Sequence, residues 1–231
     1  MTRVLVLPSS LGTDRTLWDA QIDAFSGSFR VIRYELPGRS TMAELGEDAI
    51  RLLDEEGVER ASWCGLSLGG MVGMWLGANA PERLDRLVLA CTAARMPAPE
   101  IYRERAPLVR EQGLEAIADA VVARWFTPAA PPELPQRFRR VLVTRDVEAY
   151  ARCCEALALW DFRDELPRVA VPTLVLAGAA DEATPADATD LLAARIPGSR
   201  HELLEGAPHL ANVECPEAFT AAAFAHLEEV A

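Results

Sequence analysis

Short apolar runs alternate with helical segments at both ends of this 231-residue chain, and that alternation is what most narrows its fold. Arg3 to Leu7 reads as a buried strand, Thr13 or Asp14 caps a helix through Phe25, and Phe29 to Tyr34 is the next strand. Ser40 or Thr41 opens a helix in which Leu45, Ala49, Leu52 and Leu53 keep helical spacing, and Gly57 ends it. Ala61 to Cys64 is a strand, residues after Ser67 to about Asn79 a helix, and Arg86 to Cys91 a fourth strand. Such an order predicts an α/β protein with a mainly parallel sheet and helices on both faces.

The alternation then stops. From Arg95 to Arg168 the periodicity is helical, broken by a turn at Pro128, Pro131, Pro132 and Pro135. It resumes with a strand at Thr173 to Ala177, a helix from Pro185 to Ile196, a strand at His201 to Leu204 and a helix from Pro216. The expected organisation is a core of residues 1–94 and 169–231 with a helical insertion at 95–168. An insertion between two sheet strands is where a lid over an active site sits; an ordinary helical extension is the plainer alternative.

Charge and composition exclude several function classes. The net charge is −12, which disfavours nucleic acid as a partner because phosphate binding needs a basic face. The insertion holds 12 Arg against 12 acids, so the whole excess of acid lies in the core. The chain has no lysine, which excludes a Walker-type phosphate loop, a Schiff-base lysine and a Ser–Lys dyad. No apolar run is long enough for a membrane span, and the first residues do not form a signal peptide, so a cytoplasmic location is expected. Five cysteines, an odd number, argue for buried thiols rather than a disulfide framework. No Cys/His spacing resembles a metal site, and no cofactor is implied.

Within the first α/β stretch lies Gly65-Leu66-Ser67-Leu68-Gly69. Gly-x-Ser-x-Gly arises by chance in roughly one chain in ten of this length, so its context carries the weight. It directly follows a strand and opens a helix, as a nucleophile elbow requires, with glycines two positions either side that let strand and helix pass closely. A serine hydroxyl needs a base, and the chain offers His201, His209 and His226. His201 lies inside a predicted strand and His226 in the last helix. His209 follows a strand in a Gly206-Ala207-Pro208 loop and is favoured. Asp181, just beyond the strand at Thr173 to Ala177, supplies an orienting acid in the chain order Ser, Asp, His, with Glu182 as local competitor and a plain turn as the alternative role. Oxyanion donors are expected from the backbone N–H of Leu68 and, in the loop after the first strand, that of Ser10.

At these residues the chain resembles the 3-oxoadipate enol-lactone hydrolases of the α/β-hydrolase superfamily. The likeness is carried by Ser10-Leu11-Gly12-Thr13-Asp14 with Trp18-Asp19, by Cys64 to Gly70, and by Ala90 to Arg95. Inside the insertion it is carried by Gln112-Gly113-Leu114, Ala123 to Pro128 and Tyr150 to Cys154, and beyond it by Thr184 to Asp187 and His209 to Glu214. The resemblance implies an α/β-hydrolase fold, the triad Ser67, Asp181 and His209, and Trp125 as a pocket-lining residue, helix packing being the alternative for Trp125. Two departures stand out. The hairpin that usually precedes the first strand is missing, which predicts about six strands rather than eight, and Glu35 to Ser40 replaces a longer Gly/Pro loop.

The expected function is hydrolysis of a small-molecule lactone through an acyl-enzyme. The alternatives are a carboxylesterase or thioesterase on the same framework, and a receptor that kept the fold without catalysis. An enol lactone of this type carries a carboxylate, so an acidic chain needs a local cation; Arg124 and Arg152 are the candidates. The sequence carries no signal for an oligomeric state.

Overall fold

The computed structural model describes residues 3–229. Six strands, β1 (Val4–Pro8), β2 (Arg30–Tyr34), β3 (Ala61–Leu66), β4 (Leu84–Ala90), β5 (Thr173–Gly178) and β6 (Arg200–Leu204), form one sheet in the order β2-β1-β3-β4-β5-β6. Every neighbouring pair is parallel. The six strands expected from the sequence are all present. β1, β3 and β5 are buried along their whole length, which is why they show no alternation of apolar and charged residues. β6 closes one edge and exposes Arg200, His201, Glu202 and Leu203, so charges guard the open side.

The helices follow from local signals. A short 3₁₀ stretch at Arg15–Gln21, capped by the Asp14 side chain on the Thr16 N–H at 2.9 Å, leads into α1 (Ile22–Ser26). Thr41, not Ser40, caps α2 (Met42–Glu55), in a reciprocal capping box with Glu44. α3 (Leu68–Asn79) begins directly after Ser67 and is buried on nearly all sides. β4 starts two residues earlier than its apolar run suggests. Arg86 is accommodated inside it because its guanidinium donates to the Glu229 carbonyl at 2.9 Å.

Between β4 and β5 the chain is helical: α4 (Pro99–Gln112), α5 (Ala118–Val122), α6 (Glu133–Val143) and α7 (Val147–Leu159). Its two ends lie side by side. Phe162 N–H donates to the Ala94 carbonyl at 2.7 Å, the Trp160 indole to the Ala93 carbonyl at 2.8 Å, and Arg95 bridges to Asp161. The excursion therefore leaves and rejoins the core at one point, just past the carboxyl end of β4. After β5 come α8 (Ala186–Arg195), β6, α9 (Ala211–Glu214) and α10 (Pro216–Glu228).

The strand order reverses at β1. The chain runs from β1 to β2 on one side and continues from β3 on the other. In open parallel sheets the crevice beyond the carboxyl ends at such a reversal is where ligands bind. The loop after β1 and the turn after β3 flank that crevice, and they carry Ser10 and Ser67.

Among the described residues no helix is long and apolar enough to cross a membrane, and no group of His, Cys, Asp and Glu is arranged to hold a metal. Cys64, Cys91, Cys153 and Cys154 are buried free thiols, and Cys215 is half-buried.

Candidate active site

Ser67 sits at the junction of β3 and α3 with φ 53° and ψ −117°, a conformation that non-glycine residues adopt only under strain. It is held there from three directions. Its N–H donates to the Ala90 carbonyl at 2.9 Å, and its carbonyl accepts from the Met71 N–H at 3.0 Å and the Thr92 hydroxyl at 2.8 Å. The flanking glycines are required sterically. A Cβ on Gly65 would lie 2.2 Å from the Gly69 carbonyl oxygen, so the strand and the helix can meet only without one.

Asp181 lies three residues past β5, in a tight turn. Its Oδ1 accepts from the N–H groups of Ala183 and Thr184 at 2.7 and 2.9 Å. Its Oδ2 accepts from the Thr184 hydroxyl at 2.7 Å and lies 2.9 Å from His209 Nδ1. Burial works against ionisation of this carboxyl. The charge and hydrogen bond of His209 and the donors of Thr184 outweigh it and hold the group below the ordinary carboxylate range.

His209 comes from the loop between β6 and α9. That loop presses on the end of β5: a Cβ on Gly178 would lie 2.5 Å from the Ala207 carbonyl oxygen, and Ala180 N–H donates to that carbonyl at 2.9 Å. The close approach brings His209 onto Asp181. Ser67 and His209 line one cavity with Ser10, Leu11, Thr13, Met96, Tyr102, Arg105, Val121, Arg124, Trp125, Leu157, Ala183 and Leu210. The structure thus brings together Ser67, His209, Asp181 and Trp125, all singled out from sequence. The other two histidines are elsewhere. His201 lies on the sheet edge 3.4 Å from Asp190, and His226 is buried with Nε2 3.2 Å from the Pro172 carbonyl.

The Ser10 amide is differently placed from expectation. Its N–H donates to Thr13 Oγ1 at 2.8 Å, inside a turn closed by Thr13 N–H to the Ser10 carbonyl at 3.0 Å. That bond engages the donor assigned to an oxyanion. The next amide, Leu11 N–H, has no acceptor among the described residues, and Leu11 lines the cavity. Leu68 is the first residue of α3, where helical N–H groups lack intrahelical partners.

Of the two arginines expected near a substrate carboxylate, Arg124 lines the cavity and donates to the Glu182 carbonyl at 2.7 Å. Arg152 does not: it lies on α7 against Glu148 at 3.1 Å, half exposed, as an i,i+4 pair. Sequence reasoning missed Arg105 of α4, whose guanidinium lies 5.1 Å over the Tyr102 ring and 3.4 Å from the Tyr150 hydroxyl. It also missed the role of Thr184, although Asp-x-x-Thr before a helix is the pattern of an Asx turn.

A parallel sheet reversing at β1, a strained serine at a strand–helix turn and a buried Asp–His pair whose histidine lines the same cavity define a hydrolase of the α/β type. The chain belongs to the alpha/beta hydrolase family, whose model matches residues 4–223, and is a hydrolase acting on ester bonds. It is 40% identical over 227 residues to 3-oxoadipate enol-lactonase 2 of Acinetobacter baylyi, covering 93% of this chain and 85% of that protein. Among solved structures it superposes on the enol-lactonase from Burkholderia xenovorans LB400 with a TM-score of 0.94 at 38% identity, covering 99% of this chain and 93% of that one. A thermophilic esterase from Thermogutta terrifontis, solved with malate bound, gives a TM-score of 0.88 at 30% identity, covering 96% of this chain and 88% of that one. The resemblance read from the sequence motifs is borne out.

Proposed function

We propose that the protein hydrolyses a lactone of the 3-oxoadipate enol-lactone type, with Ser67 as nucleophile, His209 as base and Asp181 as the acid that orients it. The observation that carries the reading is the 2.9 Å contact of His209 Nδ1 with a buried Asp181 carboxylate, on a histidine that shares its cavity with the strained serine. His209 keeps its proton on Nδ1, donating it to the carboxylate, so Nε2 is free to accept another. The enol-lactonase relatives supply the lactone.

In the reaction, Ser67 Oγ attacks the lactone carbonyl and its proton passes to His209. The oxyanion is stabilised by the Leu68 N–H at the positive end of α3 and by a second amide from the loop after β1. Leu11 N–H is the better second donor, because the Ser10 N–H would first have to leave Thr13. Collapse breaks the ring C–O bond. The departing enol oxygen takes the proton from His209 and the enol rearranges to a ketone, leaving an acyl group on Ser67. Water then attacks the acyl carbonyl, His209 accepts its proton, and Ser67 leaves with that proton restored. An enol oxygen is a better leaving group than an alkoxide, so attack rather than ring opening carries most of the barrier.

Residues 95–168 act as the lid in this reading. Seven of the cavity residues, Met96, Tyr102, Arg105, Val121, Arg124, Trp125 and Leu157, come from that segment, and it is tied to the core at one neck. Trp125 forms part of the wall around the substrate.

The test is a Ser67→Ala variant read beside the wild type. Turnover should fall to background while the melting temperature stays within a few degrees, since among the described residues the Ser67 hydroxyl has no hydrogen-bond partner that supports the fold. Normal turnover by a folded variant would overturn the assignment. The esterase relative favours a second reading, a simple esterase. Comparing kcat/KM on an enol lactone, an aliphatic lactone, a nitrophenyl ester and a thioester decides between them.

A further inference from the structure

The helical segment between β4 and β5 is fastened to the core at several places, which differ in what they reach. The neck at Ala93 and Ala94, the Ser40 hydroxyl on Glu155 at 2.8 Å, and Arg137 on Asp19 at 2.6 Å join it to parts of the core outside the loops of Asp181 and His209. The turn that follows α5, residues 123–127, meets both of those loops. Arg124 donates to the carbonyl of Glu182, the neighbour of Asp181, at 2.7 Å. The Trp125 carbonyl accepts from the N–H of Leu210, the residue after His209, at 3.0 Å. Glu214, the last residue of α9, accepts from the Thr127 N–H at 3.0 Å with one oxygen and from the Thr127 hydroxyl with the other. Both oxygens of a half-buried carboxylate are thus engaged by a single residue of that turn.

The His209 loop depends on such outside holds. It leaves β6, an edge strand that pairs only with β5, and it runs into α9, whose four residues are too few to sustain a helix by themselves. The core fixes the loop at Ala207, whose carbonyl accepts from the Ala180 N–H at 2.9 Å. It fixes α9 at Asn212, whose side chain donates to the Leu17 carbonyl at 2.7 Å and whose carbonyl accepts from the Gln21 side chain at 2.8 Å. His209 lies between these points. The Leu210 N–H and the Glu214 carboxylate are held by the turn at 123–127 instead.

We infer that Glu214 is a positioning residue for His209: by seating Thr127 it locks the 123–127 turn onto the loops of Asp181 and His209 and keeps the imidazole at its place in the cavity. The inference rests on the proposed role of His209 as base. The helical segment is then part of the catalytic frame and not a flap that swings free, because lifting the turn would release Leu210 and Glu214 together. Misplacing a reacting group by about 1 Å costs on the order of a hundredfold in rate, so a small slip of this loop is read in kcat before it is read in the fold.

The test compares Glu214→Ala, Glu214→Gln, Thr127→Val and Arg137→Gln with the wild type on nitrophenyl acetate, a small neutral ester. In Glu214→Ala kcat should fall on the order of tenfold to a hundredfold with KM little changed. The rate at which a fluorophosphonate labels Ser67 should fall in parallel, since it reads the base without turnover. Glu214→Gln keeps an acceptor for the Thr127 N–H and should recover part of the loss, and Thr127→Val, which keeps only that N–H, should lie between wild type and Glu214→Ala. Arg137→Gln loosens the segment at Asp19, away from both loops, and should keep wild-type kcat. Wild-type kcat and labelling rate in folded Glu214→Ala overturn the inference, as does an equal loss in Arg137→Gln, which would make any loosened tie sufficient. Should Glu214→Ala not fold, wild-type kcat in Glu214→Gln and Thr127→Val together overturns it. Turnover by Ser67→Ala would instead overturn the catalytic reading, so the two failures are distinguishable.

Discussion

The Thr184 hydroxyl donates to Asp181 Oδ2 at 2.7 Å, on the same oxygen that faces His209 Nδ1. The carboxylate is thus held by a donor that takes no part in proton transfer. Thr184→Val keeps the shape and removes that donor. The buried carboxylate would lose one bond, worth about 1–3 kcal/mol. We expect a lower melting temperature and a kcat reduced on the order of tenfold, with Thr184→Ser restoring both. A Thr184→Val enzyme with wild-type kcat would show that the hydroxyl is only a turn element.

Thr13 offers a test of the oxyanion donors. Thr13→Val releases the Ser10 N–H from Thr13 Oγ1 but leaves the turn without its side-chain closure. If Leu11 N–H is the working donor, the loosened turn misplaces it and kcat falls while KM changes little. A rise in kcat would point back to Ser10.

Gly65→Ala should be among the most damaging single changes. The new methyl carbon would stand 2.2 Å from the Gly69 carbonyl oxygen and 2.6 Å from the Gly70 nitrogen, backbone atoms with nowhere to move. Overpacking of this kind costs roughly 3 kcal/mol or more. A urea midpoint close to wild type would contradict the rigidity assigned to the elbow.

His226 sets a pH dependence of stability. Burial, then the charges of Arg86 and Arg200, push its pKa down to about 4 from 6.5; the Pro172 carbonyl and Glu229 oppose them. The folded state therefore resists a proton that the unfolded chain accepts. The stability it contributes is complete above about 6.5 and is lost as the pH falls from there toward about 4. Asp181, also lowered, adds its own loss only below the ordinary carboxylate value of about 3.9. The melting temperature should decline for the wild type as the pH is lowered from about 6.5 to about 4 and decline less for His226→Gln.

Much of the site was legible before any coordinates. The fully buried strands announce themselves as short uncharged, mostly apolar segments, because a strand covered on both faces has no alternation with charged residues. The strained turn at Ser67 is written in five consecutive residues, since its geometry is local: glycines where backbones touch, serine between them. Asp181 and His209 could be placed by chain order because each stands just beyond a strand end, and strand ends are where a parallel sheet gathers its loops.

The tertiary structure decided what depends on a helix face or on a single bond. Arg105, Arg110 and Arg152 are similar in sequence, lying on amphipathic segments crowded with acids. Packing turned Arg105 into the cavity and left Arg110 and Arg152 paired with Glu148. Periodicity says that a helix has an inner face, but which residue of that face meets the crevice is set by how the helices between β4 and β5 lie against one another and on the sheet. The engagement of Ser10 by Thr13 is of the same kind. Neighbouring amides in one loop are equivalent in sequence, and only the turn they fold into determines which N–H is occupied and which remains available.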